Sequence, residues 1–163
     1  TVRNALKKAF KIVMNGTEDD VIDFIDTYRK QFNSLPAEDV SFPRSVKGLA
    51  KYADSASIYR KSTPLHVKGS LIYNMMLKKN KLTKKYPIIQ EREKIKYTYL
   101  TEPNPAGDSA IAMLTSLPKE FKLDSYIDYN RQFEKSFLDP MKGLLETIGW
   151  DYERKSTLMN FFT

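Results

Sequence analysis

The sequence predicts a mainly α-helical domain with a small antiparallel β insert, an α+β fold. Apolar residues recur at helical spacing in several segments, whereas the segment Lys94–Leu100 alternates between apolar or aromatic and polar side chains. With 163 residues and a hydrophobic content of 41%, the chain is large enough for one domain with its own core.

The first 35 residues predict an antiparallel helical hairpin. Residues 3–15 carry three apolar side chains on one helical face, and Gly16 is a natural helix end; these side chains are Leu6, Phe10 and Val13. Thr17 and Asp20 have the capping-box spacing that begins a second helix. That helix is expected to reach about Asn33 and to bury five side chains: Val21, Phe24, Ile25, Tyr28 and Phe32.

The middle of the chain predicts two more helices after an irregular segment or short strand at 39–43. A third helix is expected over 46–56. The fourth begins at Thr63–Pro64, because a capping residue followed by proline is a typical helix start, and it ends near Lys79.

The β insert is predicted over about 92–115. Ile95, Tyr97 and Tyr99 lie on one side of a half-buried strand. The segment Thr101–Asp108 is rich in proline, asparagine and glycine and predicts a turn, so Ser109–Leu114 is the candidate returning strand.

Two helices over 124–149 are predicted to complete a domain of residues 1–150. Asp124 or Ser125 is expected to cap the first helix, Asp139–Pro140 to begin the second, and Gly149 to end it.

Composition excludes several kinds of site. The chain has no cysteine, which excludes disulfides and thiolate metal sites and favours an intracellular setting. A single histidine, His66, excludes a histidine metal cluster, and no apolar run is long enough to span a membrane. The chain begins at Thr1 rather than methionine, which is typical of an excised domain, a processed product or the product of a split gene.

Positive charge is concentrated in the segment 44–85. The whole chain carries +7, but this segment holds eleven basic residues and one acid, Asp54. Surfaces that simply face water mix both signs, so the segment predicts a binding surface for a polyanion. The alternative is an ordinary solvated basic face. The basic side chains that lead into the segment are Arg44, Lys47 and Lys51.

Within this segment, the residues before the fourth helix have the chemistry of a phosphate site. Lys61 and the Ser62 hydroxyl precede a helix start whose free N–H groups attract anions, and His66 and Lys68 follow in its first turns. Contacts of this kind position a nucleic-acid backbone without reading its sequence. Tyr52 is a candidate for packing on sugars, or alternatively a core aromatic residue.

No catalytic motif is present in the sequence. The glycines form no phosphate-binding loop, and His66 has no acidic partner nearby in the sequence. Asp19, Asp23 and Asp26 could share one helical face and hold a metal, but acids near a helix start also favour the helix dipole. The residues therefore indicate a binding domain, and a metal-dependent enzyme is an alternative.

The last residues, 151–163, are predicted to be a tail. Leu158, Phe161 and Phe162 have the spacing of one face of a helical turn. Such a cluster either packs on the domain or inserts into a hydrophobic pocket of a partner.

Four motifs in order resemble the C-terminal thumb domain of family B DNA polymerases of T-even-like bacteriophages. They are Ala50-Lys51-Tyr52, Leu65–Asn74, Asn104–Asp108 and Trp150–Lys155, followed by the apolar tail. The resemblance covers nearly the whole chain. Ser109 departs from a family lysine, and Phe42–Val46 fits the pattern poorly, which indicates a subgroup such as marine or cyanobacterial phages.

The resemblance implies a function. In that family the thumb grips the primer–template duplex across the minor groove, and the terminal peptide binds a sliding clamp; here that peptide contains Leu158, Phe161 and Phe162. By position, the resemblance places family duplex contacts on or beside Tyr52, Lys61, Lys68 and Lys135, with His66 and Asn74 in the same matched stretch.

The resemblance also implies what the rest of the polymerase supplies. Palm, fingers and exonuclease domains are the expected partners, in the cytoplasm of the infected bacterium. No cofactor is expected in this chain, since Mg²⁺ belongs to the palm, and the chain is not expected to catalyse polymerisation or proofreading alone. The main alternative is a free-standing helical nucleic-acid-binding regulatory protein, which needs a base-reading helix and commonly a symmetric dimer.

Overall fold

The computed structural model describes residues 2–154, which form two compact units. The terminal unit comprises the residues up to Ser34 together with those from Phe133 onward, and the central unit comprises Leu35–Gln132. Among the helices of residues 2–154, none combines the length and apolar character needed to cross a bilayer. The predicted tail contacts Leu158, Phe161 and Phe162 lie outside the described residues.

The terminal unit begins with the predicted helical hairpin, α1 (Val2–Asn15) and α2 (Glu18–Phe32). The capping box that starts α2 is confirmed. The Thr17 hydroxyl accepts a hydrogen bond from the Asp20 N–H at 3.3 Å, and the Asp20 carboxylate accepts one from the Thr17 N–H at 3.0 Å. Two N–H groups at the helix start are thereby satisfied.

Aromatic packing forms the core of the terminal unit. Ring centroids of Tyr28 and Phe137 lie 4.9 Å apart, and those of Phe32 and Phe133 lie 5.2 Å apart. All four rings are buried, as the apolar spacing of α2 predicts for Tyr28 and Phe32.

The last helical segments of residues 2–154 are continuous, so Asp139–Pro140 begins the final helix as predicted, but Asp139 does not cap a free helix start. These segments are α6 (Tyr129–Phe133), a π-helical turn (Glu134–Leu138) and α7 (Asp139–Thr147). Pro140 cannot donate to the carbonyl four residues back. The wider π turn accommodates it, and the Asp139 N–H donates to the Glu134 carbonyl, five residues back. Gly149, with φ +74°, follows the end of α7 as predicted.

The central unit contains a three-stranded antiparallel sheet, a two-stranded hairpin and one long helix. Its first elements are α3 (Ala37–Val40), β1 (Phe42–Ser45), α4 (Leu49–Tyr52), β2 (Ala53–Asp54) and β3 (Ile58–Tyr59). Its later elements are α5 (Leu65–Lys79), β4 (Lys94–Tyr99) and β5 (Ala110–Met113), followed by 3₁₀ turns at Lys119–Phe121 and Asp124–Tyr126.

The predicted β insert is present as the pair β4–β5, with Tyr99 opposite Ala110. The sheet order is β1-β4-β5, so the third strand is β1, which lies outside the predicted insert and precedes it in the sequence. Phe42 of β1 pairs with Tyr97 of β4, and their ring centroids are 5.4 Å apart.

Helix α5 packs closely on β5 because Gly69 has no side chain. A Cβ atom there would lie 2.9 Å from the Ala112 nitrogen and 3.0 Å from the Ile111 carbonyl carbon. The buried residues of this contact include Val67, Ile72 and the whole of β5. The packing of α5 on β5 fixes the orientation of this helix, which carries part of the basic segment.

The third predicted helix, over 46–56, is wrong in extent. Helix is present only at α4, and the chain then turns into the hairpin β2–β3. The Asp54 carboxylate accepts hydrogen bonds from the Ser57 hydroxyl at 2.6 Å and the Ser57 N–H at 3.2 Å. Local side-chain bonds of this kind compete with helix formation.

The starts of the two other predicted helices also differ. The Thr63 hydroxyl donates to the Arg60 carbonyl at 2.5 Å, so Pro64 rather than Thr63 is the residue that precedes α5. Near Asp124 the chain forms only a 3₁₀ turn, because Ile127 forms a β-bridge with Leu100. Helix α6 starts after Asp128, whose carboxylate accepts from the Arg131 N–H at 3.1 Å.

Candidate nucleic-acid interface

The net charge of the chain lies entirely in the central unit. Leu35–Gln132 contains 17 basic and 10 acidic residues, a net +7, whereas the remaining sequence contains 10 of each. The predicted contacts other than Lys135 belong to this unit, so the fold keeps them in one body. Lys135 lies in the π turn of the terminal unit.

The start of α5 has the features that the sequence predicts for an anion site. No side chain caps this helix, so the N–H groups of its first turn have no side-chain acceptor. Lys61 and Ser62 lie immediately before it and are exposed. Ser62 has φ +67°, a left-handed conformation that non-glycine residues seldom adopt. Free N–H groups with an adjacent lysine and hydroxyl suit a phosphate oxygen.

His66 and Arg44 extend this site onto the sheet. The His66 ring, in the first turn of α5, lies 6.1 Å from the ring centroid of Tyr97. Burial and, secondarily, the positive charge of Arg44 lower the pKa of His66, so the imidazole is neutral at physiological pH. A neutral imidazole donates one hydrogen bond without adding charge.

Helix α4 presents Lys51 and Tyr52 beside this region. The Lys51 Nζ lies 5.1 Å from the Tyr52 ring centroid, a cation–π distance. Gly48 precedes the helix with φ +92°, and the Tyr52 ring lies 3.0 Å from where a Cβ of Gly48 would stand. Tyr52 is half-buried, Lys51 and Lys47 are exposed, and the Arg60 N–H donates to the Tyr52 carbonyl at 2.8 Å.

Glu91 organises α4, a role that the sequence reasoning missed. Its two carboxylate oxygens accept hydrogen bonds from the N–H groups of Gly48 at 2.7 Å and Leu49 at 3.0 Å. A carboxylate at a helix start both satisfies N–H groups and complements the dipole. Glu91 is more than 40 residues away from Gly48 in the sequence, so no local sequence pattern predicts this contact.

Lys68 has an internal partner. Its Nζ lies 2.6 Å from Oδ1 of Asp108, and only 18% and 16% of the two side chains are exposed. Asp108 also accepts a short hydrogen bond from the Tyr59 hydroxyl. The cluster joins α5, the β2–β3 hairpin and the turn before β5. The predicted duplex contact of Lys68 stays a prediction.

Asn74 also has internal partners. Its side-chain amide donates to the Ile89 carbonyl at 2.9 Å and accepts from the Ile89 N–H at 2.7 Å, which holds the segment before β4 against α5. A DNA contact by Asn74 has to share these atoms, and it too stays a prediction.

The acidic stripe of α2 surrounds a cation from this chain. Asp19 and Asp26 each have an oxygen 3.9 Å from the Arg154 guanidinium, and Asp23 makes a shorter contact with it. Among residues 2–154, no group of three or more histidine, cysteine, aspartate or glutamate side chains has metal-site geometry. The carboxylates of Asp19, Asp23 and Asp26 thus lie around the guanidinium of Arg154.

Two similar proteins with known names are both DNA polymerases of bacteriophages. No protein-family model matches the chain. The DNA-directed DNA polymerase of Enterobacteria phage T4 is 31% identical over 161 residues, which is 96% of this chain and 17% of the relative. The DNA-directed DNA polymerase of Escherichia phage RB69 is 30% identical over 166 aligned positions, 99% of this chain and 18% of the relative.

The resemblance to T-even-like phage DNA polymerases is confirmed. The chain spans less than a fifth of the length of these relatives, so it corresponds to one portion of such a polymerase. The matched region covers the basic segment, the turn at Asn104–Asp108 and both compact units.

Proposed function

We propose that this chain is the thumb domain of a phage replicative DNA polymerase and grips the primer–template duplex through its phosphates. The observation that carries the proposal is the placement of the whole net charge of +7 in the central unit, which also contains the uncapped start of α5. Its proposed contacts are Arg44, Lys47, Lys51, Tyr52, Lys61, Ser62, His66, Lys68, Asn74 and Lys135.

In this proposal the catalytic chemistry belongs to the other polymerase domains. Palm, fingers and exonuclease domains are the proposed partners, Mg²⁺ is held by the palm, and the polymerase acts in the cytoplasm of the infected bacterium. The chain contributes grip, since phosphate contacts by lysine, arginine and backbone N–H groups hold a duplex in any sequence.

The grip is tested by the salt dependence of duplex binding. If about six cationic groups meet phosphates, the logarithm of the association constant should fall against the logarithm of salt concentration with a slope of about −5. Fluorescence anisotropy with a labelled duplex measures this slope, and duplexes of scrambled sequence should bind equally well. A slope near zero would contradict the grip, and strong preference for one sequence would favour a regulatory DNA-binding protein instead.

We further propose that Leu158, Phe161 and Phe162 bind a sliding clamp. The spacing of the three side chains and their place in the motif order support this. Deleting Leu158–Thr163 should abolish binding to the sliding clamp of the same phage and leave thermal unfolding and duplex affinity unchanged. Alanine at Met159 and Asn160, between the proposed anchors, is the matched control and should retain clamp binding. Unfolding of the deletion variant would show that the segment belongs to the core.

A further inference from the structure

The far end of α5 carries a second group of exposed lysines. They come from the last turn of the helix, from the loop after it and from the 3₁₀ turn at Lys119–Phe121 and its flank. None of them belongs to the proposed duplex contacts above. This distal lysine patch consists of Lys78, Lys79, Lys81, Lys84, Lys119 and Lys122.

The fold brings the two parts of the distal lysine patch together. Lys79 of α5 and Lys122 line one groove of about 380 Å³, and Met76 and Phe121 also line it. Within residues 2–154, no carboxylate lies within ion-pair distance of any of the six lysines. Their charges are therefore available to an external anion.

Glu120, the acid in this groove, is already paired. The Lys85 Nζ lies 2.5 Å from one carboxylate oxygen, and the Tyr86 hydroxyl donates to the other at 2.8 Å. The hydrogen bond from Lys85, together with smaller contributions from neighbouring groups, lowers the pKa of Glu120 to about 2. Lys85 thus offsets this acid, and the six lysines keep their excess charge.

Two lysines of the patch adopt left-handed backbone conformations. Lys81 has φ +56° and Lys122 has φ +53°, and each follows the end of a helical segment. Glycine or asparagine occupies such positions at the least conformational cost. Both positions thus carry an exposed lysine where a glycine would suit the backbone better.

We propose that the distal lysine patch binds the phosphodiester backbone of a nucleic acid, separately from the site at the start of α5. Lysines act as point charges on phosphates, and the patch contains no arginine to read bases bidentately. The two ends of α5 are about 21 Å apart at 1.5 Å per residue, so the two sites can contact different phosphates of the same nucleic acid. The inference rests on the proposed duplex grip, which it extends to a second point of contact.

Three variants of the full chain test this inference, and each changes three lysines to glutamine. The distal variant changes Lys79, Lys84 and Lys122. The proximal variant changes Lys47, Lys51 and Lys61, and the control changes Lys7, Lys8 and Lys11 of α1. Fluorescence anisotropy measures the affinity of each variant for duplex and single-stranded oligonucleotides at several salt concentrations, and thermal unfolding checks that each variant is folded.

The distal variant should bind the duplex more weakly than the control, and its salt slope should be smaller by about 2 to 3, because each lost phosphate contact removes about 0.9. The reductions of the distal and proximal variants should add when combined. A loss confined to single-stranded oligonucleotides would contradict a second contact with the duplex.

A distal variant with the slope of the control, beside a proximal variant with a reduced slope, would overturn the second contact and leave the grip intact. A slope near zero for the unmodified chain would overturn both.

Discussion

At the scale of single residues, several side chains in the motifs on which the resemblance was based have partners inside the fold. Asn104 accepts hydrogen bonds from the N–H groups of Ala106 and Gly107 and donates to the Asp108 carbonyl, so it holds the turn before β5. Asp108 in turn holds Lys68. The motifs thus encode the turn and its attachment to α5 as well as any contact with DNA.

Gly69 offers a direct test of the close approach between α5 and β5. Replacing Gly69 with alanine places a Cβ 2.9 Å from backbone of β5, which cannot move as a flexible side chain can. We expect the free energy of unfolding to fall by about 1–3 kcal/mol, measured by denaturant titration. Gly143→Ala is the matched control, since nothing lies within 4 Å of its Cβ position and alanine favours a helix. Equal stability of the two variants would contradict the close packing.

The Lys68–Asp108 pair predicts a pH dependence of stability. Burial opposes the charge of Asp108, but hydrogen bonds from Lys68 and Tyr59 outweigh it and lower the pKa of the carboxyl below its usual value. Burial likewise opposes the charge of Lys68, yet Asp108 raises the pKa of the amine overall. The pair therefore stabilises the fold at neutral pH, and this is lost as pH falls through the folded Asp108 pKa or rises through that of Lys68.

Asp108→Ala should consequently lower stability at neutral pH by about 1–3 kcal/mol and flatten both limbs of the stability–pH profile. Lys68→Met and the double variant complete a cycle measured by chemical denaturation. Additive losses in the two single variants would show that the residues are not coupled.

At the scale of elements, α4 illustrates how a short helix depends on a distant side chain. Four residues are too few for a stable helix alone, and Glu91 supplies the acceptors at its start. The consequence reaches Lys51 and Tyr52, which α4 positions for the proposed duplex contact.

Glu91→Ala should weaken duplex binding although it removes a negative charge. Loss of the cap disorders α4 and its two contact residues, and we expect faster amide hydrogen exchange at Gly48 and Leu49. Glu102→Ala, at an exposed acid of the same unit, removes the same charge and should leave binding equal or slightly tighter. Tighter binding by both variants would mean that charge alone decides the affinity.

The sequence predicts the elements that local patterns specify and misses those that distant contacts decide. The periodicity of α1, α2 and α5, the alternation of β4 and the stop at Gly149 were sufficient. The sequence does not predict the hairpin β2–β3, because the Asp54–Ser57 hydrogen bonds compete with a helix that intrinsic propensity favours. Helix α6 starts later than the sequence predicts, because the bridge between Leu100 and Ile127 keeps the preceding segment extended. For the candidate site, charge located the surface, but the partners of Lys68 and Asn74 could not be read from spacing.

At the scale of the whole molecule, charge is divided between the two units rather than spread evenly. The central unit holds the net +7, and the rest of the chain is neutral. A polyanion should therefore recognise the central unit, with Lys135 as the proposed contact outside it.

Backbone amide NMR during titration with a duplex tests this division. We expect the largest shift changes at residues of the central unit, and the change at Lys135 reports whether the π turn participates. The amides of α1 serve as the internal reference. Changes as large in α1 as in α5 would contradict a grip by the central unit.

The ion pair between Lys68 and Asp108 also alters what the charge of the basic segment means for binding. The ions released on binding come from the DNA, in proportion to the phosphates that the protein neutralises. A lysine that is held by a carboxylate of its own chain has part of its charge already balanced, as have Lys68 beside Asp108 and Lys85 beside Glu120. The number of lysines and arginines in the basic segment therefore overstates the number of ions that the DNA releases, and the salt slope should be smaller than that count implies.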